Sequence, residues 1–295
     1  MPSSIRGSAT SRRGAARRPA PHGTGRRLTP SARIGAAVLG VIALAAAAPW
    51  IFTRASPDQI DILARLAPPS RLHVLGTDNI GRDLLARLVW GARISLLVAL
   101  VSVGGAASIG VTLGLLAGYL GGWVESVVMR IVDVFLSFPA ILLALALVAV
   151  LGAGVTSVIT ALTLVFWTQY ARVIRASALA EKQKVYVEAA TAVGANSGRI
   201  VIRHILPNIL SPVIILATLG MGTAVVAEST LSFLGMGVQP PAPSWGWTLA
   251  FGTRYLRDAP HIATFSGLAI MLTVLGFNLL GDGVRDMLDP RFRPQ

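Results

Sequence analysis

The sequence has no cysteine, few charged residues and no nucleotide-binding loop. Without a thiol among its 295 residues, disulfides, thiolate metal sites and cysteine nucleophiles are excluded. Charged residues make up 13% of the chain, against about 25% in a typical soluble domain. No Gly-rich loop ending in Lys-Ser or Lys-Thr is present, and such a loop is what holds nucleotide phosphates. The composition argues against a soluble domain, and the missing loop argues against ATP hydrolysis by this chain.

Hydrophobic residues, in contrast, make up 54% of the chain. They are concentrated in runs of about 20 residues, the length that crosses a bilayer as a helix. The sequence therefore predicts an all-α membrane protein with six transmembrane helices, at residues 34–52, 94–116, 127–151, 155–170, 213–234 and 264–280. The first run could also be a cleaved signal sequence, with small residues at Ala45–Ala48, but its extension to Phe52 favours a span.

Basic residues are unevenly distributed along the chain. Eight arginines precede the first apolar run, at positions 6, 12, 13, 17, 18, 26, 27 and 33. Residues 1–31 are predicted to be a disordered basic tail that attracts anionic lipid, and no nucleic-acid-binding motif accompanies it. Placing both termini in the cytosol puts 18 of the 26 Lys and Arg residues inside, as the positive-inside rule favours. Residues 283–295 are then a cytosolic C-terminal tail.

Two acidic residues, Asp133 and Glu228, lie within or beside apolar runs. Such residues often mark a substrate or proton path. The competing interpretation is that each lies near an interface and pairs with a neighbour, as Asp133 could with Arg130. Pro139 is expected to kink the third span. A row of small residues in the second span predicts a close helix–helix contact, or less plausibly a substrate path, at Ser102, Ala106, Gly110, Gly114 and Gly118.

The loop between the fourth and fifth spans predicts a helix–turn–helix at the membrane surface. Glu188–Val193 favours a helix and Gly194 a C-terminal stop. A second short helix is expected over Ser197–Ile205, with Pro207 ending it. Small side chains on the first helix would allow it to enter a groove on a partner protein, where Glu188 would meet a basic side chain.

The spacing in this loop resembles a known signature. Glu188-Ala189-Ala190, three residues, Gly194, and then Leu206-Pro207 are similar to the permease subunits of bacterial binding-protein-dependent ABC importers, although His204 stands where the family usually has Ile. The resemblance implies that residues 186–196 contain the coupling helix that docks into an ATPase subunit. The implied coupling residues are Glu188, Ala189, Ala190, Gly194, Leu206 and Pro207.

A second set of motifs narrows the resemblance to the C-type permeases of dipeptide, oligopeptide and nickel importers. These motifs lie at residues 73–83, 90–95, 118–123, 130–139, 228–235, 243–246 and 278–282. The resemblance implies the type I ABC importer permease fold, with the first span and an external loop at residues 32–92 and the ABC transmembrane domain at 93–282.

The same resemblance implies the partners and the chemistry. The expected partners are a second homologous permease, two ATPase subunits that bind ATP and Mg, an extracellular substrate-binding protein and membrane lipid, in a bacterial inner membrane. The chain itself is expected to have no catalytic residue, metal site or bound cofactor. Di- or oligopeptides are the expected substrates. Nickel complexes or oligosaccharides remain alternatives within this class, and a proton-driven secondary transporter is an alternative outside it.

Overall fold

The computed structural model describes residues 29–288, which form a helical bundle without a β-sheet. The predicted tail residues 1–28 and 289–295 lie outside the described residues. The helices of the described part are α1 Pro30–Ala47, α2 Pro49–Phe52, α3 Leu84–Leu120, α4 Gly122–Leu136, α5 Ala140–Leu151, α6 Val155–Lys182, α7 Val185–Ala192, α8 Ser197–Ile200, α9 Leu206–Phe233, α10 Trp245–Arg254 and α11 Pro260–Leu288.

Six spans can be drawn through these helices, so the all-α, six-span prediction is confirmed. Five helical stretches within residues 29–288 are individually long and apolar enough to cross a membrane, and α4 with α5 provides the sixth as a pair bent by 90°. The bend falls at Pro139, which caps α5. Proline has no N–H to donate and restricts the residue before it, so the predicted kink is instead a complete break of the helix.

Three predicted boundaries differ from the structure. Helix α1 begins at Pro30 because the Thr29 hydroxyl accepts the backbone N–H of Ala32 at 3.3 Å, so the predicted tail to residue 31 is slightly too long. Helix α3 begins at Leu84, ten residues before the predicted apolar run, because Asp83 caps it. Helix α11 continues to Leu288, so residues 283–288 of the predicted C-terminal tail are helical.

The small-residue row of α3 packs against α6. A methyl group added at Gly110 would lie 2.4 Å from the carbonyl oxygen of Trp167. At Gly114 and Gly118 it would lie 2.6 Å from the carbonyl oxygens of Ala171 and Arg175. Only glycine allows the two backbones to approach this closely. The row is therefore a helix–helix seam, as predicted, and not a path for substrate.

The segment between α2 and α3 is a compact polar turn at the opposite end of the bundle from α7. Arg82 Nε donates to Asp78 Oδ2 at 2.6 Å. Asp83 accepts the backbone N–H of Ala86 at 2.8 Å, and its other oxygen lies 3.0 Å from His73 Nδ1. The two acidic residues thus have separate functions, since Asp78 orders the turn and Asp83 starts α3.

Two apolar clusters stabilise the bundle. The larger one joins α1, α3, α4, α5, α6, α9, α10 and α11. The smaller one lies at the α7 end and consists of Leu115, Ile174, Ala178, Val187, Ile200, Ile205 and Ile209. The second cluster therefore fixes α7 and α8 against the ends of three long helices.

Candidate functional site: the α7–α8 loop

Helix α7 is held by one face and exposes the other. Val187 is buried in the smaller apolar cluster, whereas Glu188 and Ala189 are exposed. Among the described residues, the Glu188 side chain has neither a hydrogen bond nor an ion pair, so its carboxylate is free to meet a partner. A cleft of about 460 Å³ beside the helix is lined by Tyr119, Lys182, Val187, Glu188, Thr191 and Ala192.

Gly194 ends this helix, as the sequence predicts. Its φ is +82°, a conformation that costs a residue with a Cβ roughly 1–2 kcal/mol. Gly194 N donates to Thr191 O at 3.0 Å, and Ala195 N donates to Ala190 O at 3.0 Å. The next residue, Asn196, caps α8 by accepting the backbone N–H of Arg199 at 2.8 Å. The chain thus reverses direction at Gly194, and Ala189 and Ala190 lie near the end of the helix before this turn.

Pro207 does not end the second helix, which corrects the sequence prediction. Residues Val201–Ile205 form a π-helical segment that connects α8 to α9, and Pro207 lies in the first turn of α9. Leu206 N donates five residues back, to Val201 O. The π-helical segment changes the hydrogen-bond pattern just before Pro207, which has no N–H to donate, and the helix continues through Leu206 and Pro207 into the fifth span.

Asp133 pairs across two helices rather than along its own. Its Oδ1 lies 2.5 Å from Nη2 of Arg172 on α6, so the proposed partner Arg130 is wrong. Arg175, also on α6, pairs with Glu125 of α4. Both pairs line an open cleft of about 380 Å³ between these helices, and the Asp133 side chain is 62% exposed.

Glu228 is enclosed, in contrast to Asp133. It is 0% exposed, and its carboxyl oxygens accept hydrogen bonds from four serine hydroxyls. The distances are 2.8 Å for Ser232, 3.1 Å for Ser95, 3.4 Å for Ser229 and 3.4 Å for Ser244. These serines belong to α3, α9 and the cap of α10. In this conformation Glu228 therefore joins three elements, which favours the interpretation that it pairs with neighbours over the one that it lines a path.

Sequence reasoning missed the polar contacts that hold α7. The hydroxyl of Tyr186 donates to Glu181 Oε1 at 2.5 Å, and Asn208 on α9 contacts the same hydroxyl. Loss of hydration and the nearby Glu181 carboxylate raise the pKa of Tyr186 to about 12. A tyrosine two residues before the Glu-Ala-Ala motif was the available signal, but its partners become adjacent only through tertiary packing.

No metal centre is found within residues 29–288: nowhere in that range do three His, Asp or Glu side chains meet in a suitable arrangement. His73 contacts Asp83, His204 lies in the π-helical segment, and His261 lies against the carbonyl oxygen of Thr77 at 3.3 Å. The chemistry of the described site is therefore that of protein contacts and charge pairs.

Comparison with known proteins identifies the family. The sequence profile described as "Binding-protein-dependent transport system inner membrane component" matches residues 110–294. The chain belongs to this family. The match covers the end of the second span, α7, α8 and the third to sixth spans, so the loop with Gly194 lies inside the family's own sequence pattern.

Curated relatives of the family are similar over most of the chain. The dipeptide transport system permease protein DppC of Alkalihalophilus pseudofirmus is 45% identical over 229 residues, covering 78% of this chain and 75% of the relative. The glutathione transport system permease protein GsiD of Pectobacterium atrosepticum is 43% identical over 259 residues, covering 88% and 86%. The probable D,D-dipeptide transport system permease protein DdpC of Escherichia coli is 44% identical over 243 residues, covering 82% and 81%.

A solved structure supports the fold. A chain of the MetNI methionine ABC transporter, in an inward-facing conformation, aligns with a TM-score of 0.56 at 24% identity, covering 68% of this chain and 96% of that chain. The predicted type I importer permease fold is thereby confirmed. This family member is a multi-pass inner-membrane transport subunit, not an enzyme, and it works with an ATPase and a substrate-binding protein.

Proposed function

We propose that this permease carries di- or oligopeptides into the cell and that α7 is the helix through which a partner ATPase drives it. The complete importer would contain a second homologous permease, two ATPase subunits and an extracellular binding protein. ATP and Mg would be bound by the ATPase subunits, and this chain would supply the passage and the coupling contacts.

The observation that carries the coupling role is the exposed face of α7. Glu188 and Ala189 are exposed there, and Val185 and Val193 at its ends are 78% and 85% exposed. Apolar side chains around a small residue can fill a groove, and the free carboxylate can meet a basic residue on the groove's rim. Ala190, Gly194, Leu206 and Pro207 act indirectly, because they set the direction and the anchoring of this helix.

The orientation of the chain in the membrane is inferred from the distribution of its Lys and Arg residues. The 18 Lys and Arg residues that would lie inside include those of the α7–α8 loop, which supports cytosolic termini and a cytosolic α7. Reporter fusions after Gln59 and Pro243 should report an external location, and a fusion after Ser197 an internal one. An internal signal after Gln59 would overturn this topology.

The passage is proposed to include Asp133. Its carboxylate lines the open cleft between α4 and α6 beside Arg172, where paired charges can be exposed to water. A polar, hydrated wall suits a solute that must be held weakly and then released. Glu228 has no such access in this conformation, so we assign it no contact with substrate here.

The coupling role is tested by two matched glycine substitutions. Gly194→Ala forces a Cβ into a positive φ, although no atom lies within 4 Å of that Cβ, so any effect comes from the backbone. Gly198→Ala in α8 has ordinary φ and only one neighbour, at 3.8 Å. In the reconstituted importer, Gly194→Ala should lower both uptake and substrate-stimulated ATP hydrolysis, and Gly198→Ala should leave them unchanged. Equal activity of the two variants would refute the coupling role.

The substrate class rests on relatives that are named for dipeptide, D,D-dipeptide and glutathione transport. Calorimetric titration of the cognate binding protein with a peptide mixture, a nickel chelate and a set of oligosaccharides tests it directly. Tight peptide binding is expected. Binding of the chelate or a sugar without a response to peptides would overturn the peptide assignment and leave the importer assignment in place.

A further inference from the structure

A chain of polar contacts joins the end of α6, the start of α7 and the start of α9. Glu181 in the last turn of α6 is mostly buried, and its Oε2 lies 2.6 Å from Lys184 Nζ. Its other oxygen, Oε1, accepts the hydroxyl hydrogen of Tyr186 at 2.5 Å. Both carboxylate oxygens of Glu181 are therefore committed to residues at the start of α7.

The chain continues from the Tyr186 hydroxyl to α9. Asn208 Nδ2 donates to Tyr186 Oη at 3.2 Å and to the carbonyl oxygen of His204 at 2.7 Å. The Tyr186 ring also lies against the His204 ring, with centroids 6.3 Å apart. One phenol thus contacts residues of two different long helices.

The phenol makes these contacts in a fixed direction. A tyrosine hydroxyl has one hydrogen to donate, and the charged Glu181 oxygen at 2.5 Å is a nearer acceptor than the His204 carbonyl oxygen at 3.3 Å. The phenol oxygen then accepts from Asn208. Because the pKa of Tyr186 is raised to about 12, the hydroxyl keeps its proton throughout the physiological range. The order of donors and acceptors from α9 through Tyr186 to α6 is therefore constant.

Apolar packing and a π-helical segment surround the phenol. Val187 holds α7 through apolar packing, which has no preferred direction. The π-helical segment Val201–Ile205 has wider turns than an α-helix, and such segments are frequent at functional sites. The hydrogen bonds of Tyr186 are accordingly a directional restraint on α7, and they reach both α6 and α9.

We propose that Tyr186 is a positioning residue that fixes α7 relative to both α6 and α9, so that a displacement of α7 moves the two spans together. This inference rests on the proposed docking of α7 to an ATPase subunit. The residue touches neither nucleotide nor substrate, and its effect is on how much transport each hydrolysed ATP produces.

The test uses Tyr186→Phe in the complete reconstituted importer, with uptake and ATP hydrolysis measured on the same vesicles. The substitution removes the hydroxyl and keeps the ring. Assembly with the ATPase is expected to be unchanged. Substrate transported per ATP is expected to fall by about tenfold, the shift in a two-state equilibrium that follows from losing one hydrogen bond to a charged acceptor.

Tyr255→Phe is the matched control. Tyr255 follows α10, away from α7, and lies beside Asp78 and Arg82. Its hydroxyl makes no hydrogen bond within the described part of the chain. This variant should transport as much substrate per ATP as the wild type.

A second variant, Asn208→Leu, breaks the contact to α9 and leaves the one to Glu181. If the contacts act as one chain, the double variant with Tyr186→Phe should transport as much substrate per ATP as the more impaired of the two single variants. Wild-type coupling in Tyr186→Phe would overturn the inference, as would failure of both single variants to assemble, which would assign these residues to folding. Failure of the wild-type chain to bind the ATPase would instead overturn the proposed docking.

Discussion

Replacing Glu228 tests whether this acid stabilises the bundle or takes part in transport. Glu228→Leu removes the acceptor of four serine hydroxyls in a fully buried site. An average side-chain hydrogen bond between membrane helices contributes about 0.6 kcal/mol, and a buried donor left without a partner costs about 1 kcal/mol or more. The four losses together should therefore destabilise the protein by roughly 2–4 kcal/mol.

The assay is thermal unfolding of the detergent-purified chain, followed by uptake in the reconstituted importer. A loss of this size should lower the Tm by on the order of 10 °C. Glu228→Gln retains one carbonyl oxygen and should show a smaller decrease with uptake preserved. Glu125→Leu is the control, because its pair with Arg175 is partly exposed and such pairs contribute about 0–1 kcal/mol.

Two results would refute this reasoning. A Glu228→Leu chain with the wild-type Tm would show that the serine contacts do not stabilise the packing of α3, α9 and α10. A Glu228→Gln chain that is stable but inactive in uptake would show that the ionisable group itself is needed, as the proton-driven alternative requires.

Two further predictions concern packing and charge. Gly110→Ala should destabilise the α3–α6 seam by about 1–3 kcal/mol, whereas Gly104→Ala, with no atom within 4 Å of its Cβ, should not; equal Tm values for the two variants would contradict the seam. A double-mutant cycle of Asp78→Asn with Arg82→Met should give a coupling energy of at least about 0.5 kcal/mol, because these side chains are 2.6 Å apart and nearly buried. The cycle of Arg82→Met with Asp83→Asn should be nearly additive, and a larger coupling there would mean that Arg82 pairs with Asp83.

Features that depend on local chemistry could be predicted from the sequence. The apolar runs indicate the spans, the four-residue spacing of small side chains indicates the face of α3 that meets α6, and Gly194 indicates the reversal after α7. Each signal acts through the residue's own backbone or its own helix face. Such signals are present before any tertiary contact forms, which is why the fold class and the α7–α8 turn could be predicted.

Features that depend on which helices meet could not be predicted in the same way. Arg130 lies three residues from Asp133 and can pair with it on one helix, but the packing of α6 brings Arg172 closer. Pro207 is a helix breaker in most settings, yet the π-helical segment just before it leads the helix into α9. Tyr186 gains its role only when α6 and α9 approach α7. For Asp133 and Tyr186 the outcome depends on a neighbour distant in the sequence.

The break between α4 and α5 has a consequence for the subunit in lipid. At about 1.5 Å per residue, the 15 residues of α4 and the 12 residues of α5 extend only about 22 Å and 18 Å, each less than a hydrocarbon core of about 30 Å. Neither helix alone crosses that distance, so the two cross it only as a pair, with the irregular backbone at residues 137–139 between them, where Phe138 is 55% exposed. The N–H groups at this break are bonded within the segment, Ser137 N to Asp133 O at 3.0 Å and Phe138 N to Phe135 O at 3.4 Å. Irregular backbone in a bilayer is tolerated only against protein or water, so a second chain or a hydrated cavity is expected to cover the carbonyl groups of Ser137 and Phe138.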